Sequence, residues 1–203
     1  MAKKLSAALG VATSLGLVGG CLDNSALTVP AGVAAVERER TYFAQSPDDP
    51  LLDIPAGTVI DDLAGLEGCW GAYAGPDLLD GGVMVRADAE FYSFDFNAMR
   101  MTYQVLQRGA GLFPYDVALE HVYQLEIPAP DRITVRLLTV ESSSDLAIMR
   151  EGQGLVVVED AEPFDLQITL DGDAFKFGDS EGASSDFSAP HRANLVFKRF
   201  DCP

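Results

Sequence analysis

Positive charge is scarce in this chain: Lys and Arg number 14 against 31 Asp and Glu, a formal net charge of −17. Nucleic acid is bound through a basic footprint that neutralises phosphates, so that class of function is excluded. The same imbalance argues against lying flat on anionic lipid. It reads as solubility and self-repulsion, with a cationic or Ca²⁺-bearing partner as the sharper alternative. Histidine is nearly absent. Only His121 and His191 occur, and neither belongs to a His-Glu-x-x-His or zinc-ligand spacing. Also missing are a Gly-x-Ser-x-Gly elbow and a phosphate-cradling glycine loop. No catalytic set, cofactor or metal site is therefore expected. The apolar run at the N-terminus, Leu5 to Val18, is too short for a stable membrane span, and no long amphipathic helix follows it. Cysteine appears three times and tryptophan once.

What is present begins at the N-terminus. Lys3 and Lys4 precede the uncharged run Leu5 to Val18, which ends Val18-Gly19-Gly20-Cys21. This is the layout of a secretory signal. Its ending resembles a bacterial lipobox, in which small residues precede a cysteine. The resemblance implies cleavage after residue 20, diacylglycerol on the Cys21 thiol and acylation of the freed amine. The expected partner is then a membrane, held through acyl chains whose buried methylenes add roughly 0.8 kcal/mol each. A plain signal peptide with an incidental cysteine is the alternative. Leu22, directly after the cysteine, leans the location of this exported protein towards the outer membrane. Cleavage removes Lys3 and Lys4, so 14 basic residues become 12 against 31 acidic ones, a net −19.

Lipid accounts for Cys21 and leaves Cys69 with Cys202. In an oxidising compartment a disulfide is their default state, and so long a loop is worth about 4 to 5 kcal/mol in the chain-entropy model. A reduced or metal-binding pair is the alternative, although no nearby His or Cys completes a zinc spacing.

Three regions follow: signal 1–20, a lipidated N-terminus and flexible tether over 21–62, and a folded domain over 63–203. The tether carries Pro30, Pro47, Pro50 and Pro55, and Ala34 to Phe43 could form a short helix. As a free chain it would span roughly 35 Å; packing onto the domain is the other possibility. From Leu66 onward the pattern is short alternating strands bounded by Gly, Pro and Asp. Tyr92, Phe94 and Phe96 share one side. Met99, Met101, Tyr103 and Val105 share another, as do His121, Tyr123 and Leu125. Asp171-Gly172 is a hairpin turn ahead of Phe175 and Phe177, and Gly178 to Pro190 is a loop. The expected fold is all-β: one antiparallel up-and-down barrel of eight to ten strands.

The first strand reads Leu66-Glu67-Gly68-Cys69-Trp70-Gly71, and Arg199 lies near the end of the last. A Gly-x-Trp opening with a closing basic residue resembles the lipocalin and lipocalin-like barrels. The resemblance implies that Trp70 lies in the closed end of the barrel with Arg199 across its ring, a contact worth about 1 to 2 kcal/mol when desolvated. Side chains alternate faces along a strand. If the first and last strands are neighbours, Trp70 and Arg199 point inward while Cys69 and Cys202 point outward. The register that sets Cys69 opposite Cys202 sets Ala72 opposite Arg199 and leaves Trp70 diagonal to it. One register then serves both pairs.

Tyr92, Phe94, Met101, Tyr103, His121, Tyr123 and Phe175 form an expected interior row. A barrel of this size either fills with side chains or holds one small ligand. The leading expectation is binding of a small apolar or amphipathic molecule. The alternative is a filled barrel acting as a structural or protein-interaction module. Gly178-Asp179-Ser180 lacks the strand-to-helix context of a nucleophile, and Asp171-Gly172-Asp173 lacks the ligand order of a calcium loop.

Overall fold

A computed structural model describes residues 27–55, 58, 63–78, 85–108, 116–129, 132–144, 154–178 and 195–203. The signal segment, Cys21, Asp179, Ser180 and His191 lie outside them. Among the described residues there are ten strands: β1 Gly68–Leu78, β2 Val85–Asp95, β3 Arg100–Arg108, β4 Asp116–Ala129, β5 Arg132–Ser144, β6 Gly154–Val157, β7 Phe164–Leu166, β8 Ile168–Asp171, β9 Ala174–Phe177 and β10 Phe197–Phe200. They form one sheet in the order β6-β5-β4-β3-β2-β1-β10-β9-β8, with β7 paired to β5. The paired strands are antiparallel.

Sequence-adjacent strands are mostly spatial neighbours, and the last long-range pairing joins β10 to β1. Ile133, Thr134 and Val135 of β5 pair with β7, and only Gln167 separates β7 from β8 at the opposite edge of the sheet. That short link can be made only if the sheet curls round on itself. The product is a curled antiparallel half-barrel, consistent with the expected all-β up-and-down barrel.

Period-2 alternation explains the two faces. Trp70, Tyr92, Phe94, Met101, Tyr103, Val105, Tyr123, Leu125, Val135, Phe175 and Phe197 belong to one buried cluster inside the curl. Fully burying a side chain of this kind contributes about 1.5 to 3 kcal/mol relative to leaving it exposed. A 3₁₀ turn, Leu63–Leu66, adds Leu63 and Leu66 to this core beside Trp70. It plugs one end, called here the closed end. At the far end β1, β3 and β5 finish and β2 and β4 begin.

The hairpin between β8 and β9 fits its residues. Asp171 pairs with Ala174, and Gly172 supplies the positive φ of +56° at the first position of the two-residue turn. Phe96 and Met99, expected at strand ends, sit in the β2–β3 turn, yet both still pack against the interior core.

The N-terminal arm differs from a free tether. Residues Ala31–Arg38 form helix α1 and Arg40–Phe43 a single turn α2. Val33, Val36 and Phe43 are buried against the outer face of the sheet, with Cys69, Ala89, Phe91, Leu106 and Ala118. The arm crosses the strands one after another. The Ser143 hydroxyl donates to the Thr28 carbonyl over β5, and the Val33 N–H donates to Gln104 Oε1 over β3. Tyr42 Oη donates to the Arg199 carbonyl over β10. Lys176 of β9 then donates to the carbonyls of Leu52 and Ile54, at 3.0 and 2.6 Å. Free-chain entropy favours release of such an arm. Burial of its apolar side chains, with hydrogen bonds to groups on the sheet, offsets that cost.

Candidate functional site

The strand registers arrange the interior in rungs. Gly68, Phe94, Met101, Tyr123 and Leu137 are successive cross-strand partners. One rung further from the closed end come Trp70, Tyr92, Tyr103, His121 and Val140, and next Ala72, Glu90, Val105, Leu119 and Ser142. Six of the seven residues expected to line a cavity therefore occupy two adjacent rungs. Phe175 enters from β9. All seven are buried, with His121 the most accessible at 5%.

These side chains pack on one another. The Tyr92 ring stacks on Tyr103 at 4.7 Å between centroids, and meets Phe177 and Phe197 at 5.0 Å each and Phe175 at 6.2 Å. Phe175 stacks on Phe197 at 4.8 Å and meets Trp70 edge-on at 5.1 Å. Offset and edge-to-face pairs at such separations are attractive beyond their area burial. At the level of these rungs ring contacts ring.

Trp70 and Arg199 are direct partners across the β1–β10 ladder. The guanidinium carbon lies 4.3 Å from the indole centroid. The indole N–H donates to the Leu66 carbonyl at 2.8 Å. Arg199 donates in turn to the carbonyls of Glu67 and Gly65 and to the Asp173 carboxylate. It thus ties the first strand, the closed-end turn and the β8–β9 hairpin together.

Cys69 and Cys202 are disulfide-bonded, with Cα atoms 5.2 Å apart. The register differs from the expected one by two residues. Cys69 lies opposite Phe200, so the bridge is diagonal, and Arg199 lies opposite Trp70 instead of Ala72. Two causes fit the chemistry. Direct opposition lets Arg199 cover the indole and still reach the Gly65 and Glu67 carbonyls, and Cys202 lies beyond the end of β10, where the chain is free to turn back. A shift of two leaves facing unchanged. Cys69 accordingly belongs to the outer cluster and Trp70 to the inner one.

Polar groups enter the interior towards the far end. Glu90 is only 1% exposed, and Nδ1 of His121 shares a hydrogen bond with Tyr123 Oη at 3.0 Å. Glu90 was not singled out by sequence, because an acid is ordinarily assumed to face water. Its position two residues before Tyr92 is the signal that places it on the inner face. Among the described residues no cluster of three His, Cys, Asp or Glu side chains could hold a metal ion.

Outside the sheet, an open groove of about 590 Å³ lies beside the start of α1, bordered by Phe91, Gln104, Glu120 and the Cys69–Cys202 bridge. Gln104 Nε2 donates to Glu120 Oε2 there at 2.6 Å. At the far end of β3, Arg108 pairs with Glu37 of α1 and with Asp116. The Glu37 hydrogen bond is the main cause of a raised guanidinium pKa; partial burial opposes it and Asp116 adds to it. Arg108 therefore stays charged wherever the fold is stable.

Compared with family models, with curated proteins and with solved structures, the chain finds no match.

Proposed function

We propose that this chain is an exported bacterial lipoprotein, anchored through acyl chains on Cys21 to the outer membrane. Its lipocalin-like barrel is filled and serves as a rigid structural or protein-interaction module of the envelope. The observation that carries the second part is the Tyr92 ring, in contact with the rings of Tyr103, Phe175, Phe177 and Phe197. At this level of the barrel the rings occupy the space that an apolar guest would need. Val18-Gly19-Gly20-Cys21 supports the anchor, and Gly68-x-Trp70 with the Arg199 stack supports the lipocalin-like reading. Two experiments test the proposal. Metabolic labelling with palmitate should mark the full chain and spare Cys21→Ser. Titration with fluorescent fatty-acid and retinoid probes should show no saturable site, and one saturable probe of one-to-one stoichiometry overturns the filled-barrel reading.

One observation favours a second reading, binding of a small amphipathic molecule. Glu90 and His121 are buried on the two rungs leading to the far end, next to the aromatic layer. Such an arrangement offers apolar contact below and hydrogen-bonding groups above. A saturable probe whose affinity falls in Glu90→Gln would establish it.

A further inference from the structure

The docked arm changes what an anchor at Cys21 can reach. Thr28 is held over β5 by Ser143, one residue from the end of that strand, and Leu27 packs on the outer cluster. Only six Cα–Cα steps separate Cys21 from Leu27. Fully extended, they span about 20 Å, against the roughly 35 Å of a free 21–62 tether. Leu27, the first described residue of the arm, lies at the far end, opposite the plug formed by Leu63 and Leu66.

Strand β6 lies beside that end of the arm. It is an outermost strand of the sheet, paired to β5, with Leu155 opposite Glu141. Two residues along β5 and one strand across place Leu155 about 8 Å from Ser143. Leu155, Val156 and Val157 are 64%, 54% and 66% exposed. An exposed apolar edge strand is ordinarily blunted by charge, proline or a covering element. Within β6 itself there is no charged residue and no proline.

We propose that β6 is the membrane-facing edge of the anchored protein, its Leu155, Val156 and Val157 lying at the headgroup boundary of a zwitterionic bilayer. This rests on the lipoprotein reading above. Three things argue for lipid as the occupant: the short length of chain between Cys21 and Leu27, the place of Leu27 and Thr28 at the far end, and the apolar strip beside them. Glu141, Glu159, Asp160 and Glu162 flank the strip, which favours zwitterionic over anionic headgroups. Covalent anchoring makes the contact intramolecular, so a weak apolar strip suffices at the resulting effective concentration. The closed end, with Trp70 and Arg199, then points away from the bilayer.

The test uses the full chain, processed in a bacterium and reconstituted into phosphatidylcholine vesicles with bromine placed near the headgroups. Leu155→Trp and, as a second position, Val157→Trp report on β6. Ile127→Trp, at an exposed site near the closed end of β4, is the control. The buried Trp70 gives a constant background. Expected is a blue-shifted emission that bromine quenches strongly at 155 and 157 and spares at 127. With acylation of Cys21 verified by mass, absence of quenching at 155 and 157 overturns the orientation and leaves the anchor standing. Equal or stronger quenching at 127 also overturns it. Emission at 155 shielded from both bromine and aqueous iodide means that a protein strand covers the edge, which overturns the proposal as well. An unmodified Cys21 removes the lipoprotein reading, and this proposal with it.

Discussion

Gly71 and Phe43 approach so closely that a Cβ on the glycine would lie 2.8 Å from Cε1 of the ring, and 2.6 Å from Cγ2 of Val36. Gly71 alternates with the inward Trp70 and so faces outward, where the arm packs. Its lack of a side chain is the space into which α1 and α2 fit.

Gly71→Ala should therefore loosen the arm while sparing the interior. Overpacking of this kind costs about 1 to 3 kcal/mol. Trypsin should cut sooner at the exposed Arg38 and Arg40, with the fluorescence of Trp70 unchanged. Unaltered cleavage would mean that the glycine is not what permits docking.

Arg199→Lys keeps the charge but loses the planar face and the forked donors that reach Gly65, Glu67 and Asp173. A loss of about 1 to 2 kcal/mol is expected. Urea denaturation followed through the single tryptophan measures it, because Trp70 lies directly beneath the guanidinium. A lysine variant as stable as the parent would show that the stack contributes nothing.

The disulfide joins residues separated by 133 positions and staples the β1–β10 seam from outside. Replacing both cysteines by serine should cost about 2 to 5 kcal/mol. Strand pairing itself should persist, since Trp70–Arg199 and the Lys198 ammonium, which donates to the Tyr42 carbonyl, remain on the same seam. Hydrogen exchange of β10 amides in the double variant checks this; full exchange at the seam under native conditions counts against it.

Tyr92→Ala removes the ring on which five other rings, those of Phe94, Tyr103, Phe175, Phe177 and Phe197, converge. A filled interior cannot close such a gap, and about 3 to 5 kcal/mol should be lost. The emptied space is then a new apolar cavity, and a small aromatic such as benzene should partly restore the melting temperature of the variant. A modest loss with no rescue would show that the interior already has room.

Strand faces were legible from the sequence because alternation is a property of the covalent chain. Tyr92, Phe94, Met101, Tyr103, His121 and Tyr123 all turn inward for that reason, and the outward Cys69 follows from the inward Trp70. Glu90 obeys the same alternation but was hidden by the general habit of acids. The expected export signal and the proposed lipid site at Cys21 likewise rest on local order, outside the described residues. Tertiary structure alone decided the rest. Whether Arg199 faces Trp70 or Ala72 depends on which register satisfies the Gly65 and Glu67 carbonyls, and every even shift looks alike to a pattern of period two. Whether residues 27–55 hang free or wrap the sheet depends on Gly71, Gln104 and Lys176, which lie far along the chain from the residues they hold. Whether the interior is hollow depends on how rings from β2, β3, β9 and β10 interlock. Such contacts join residues distant in sequence, and the chain carries no local signal of them.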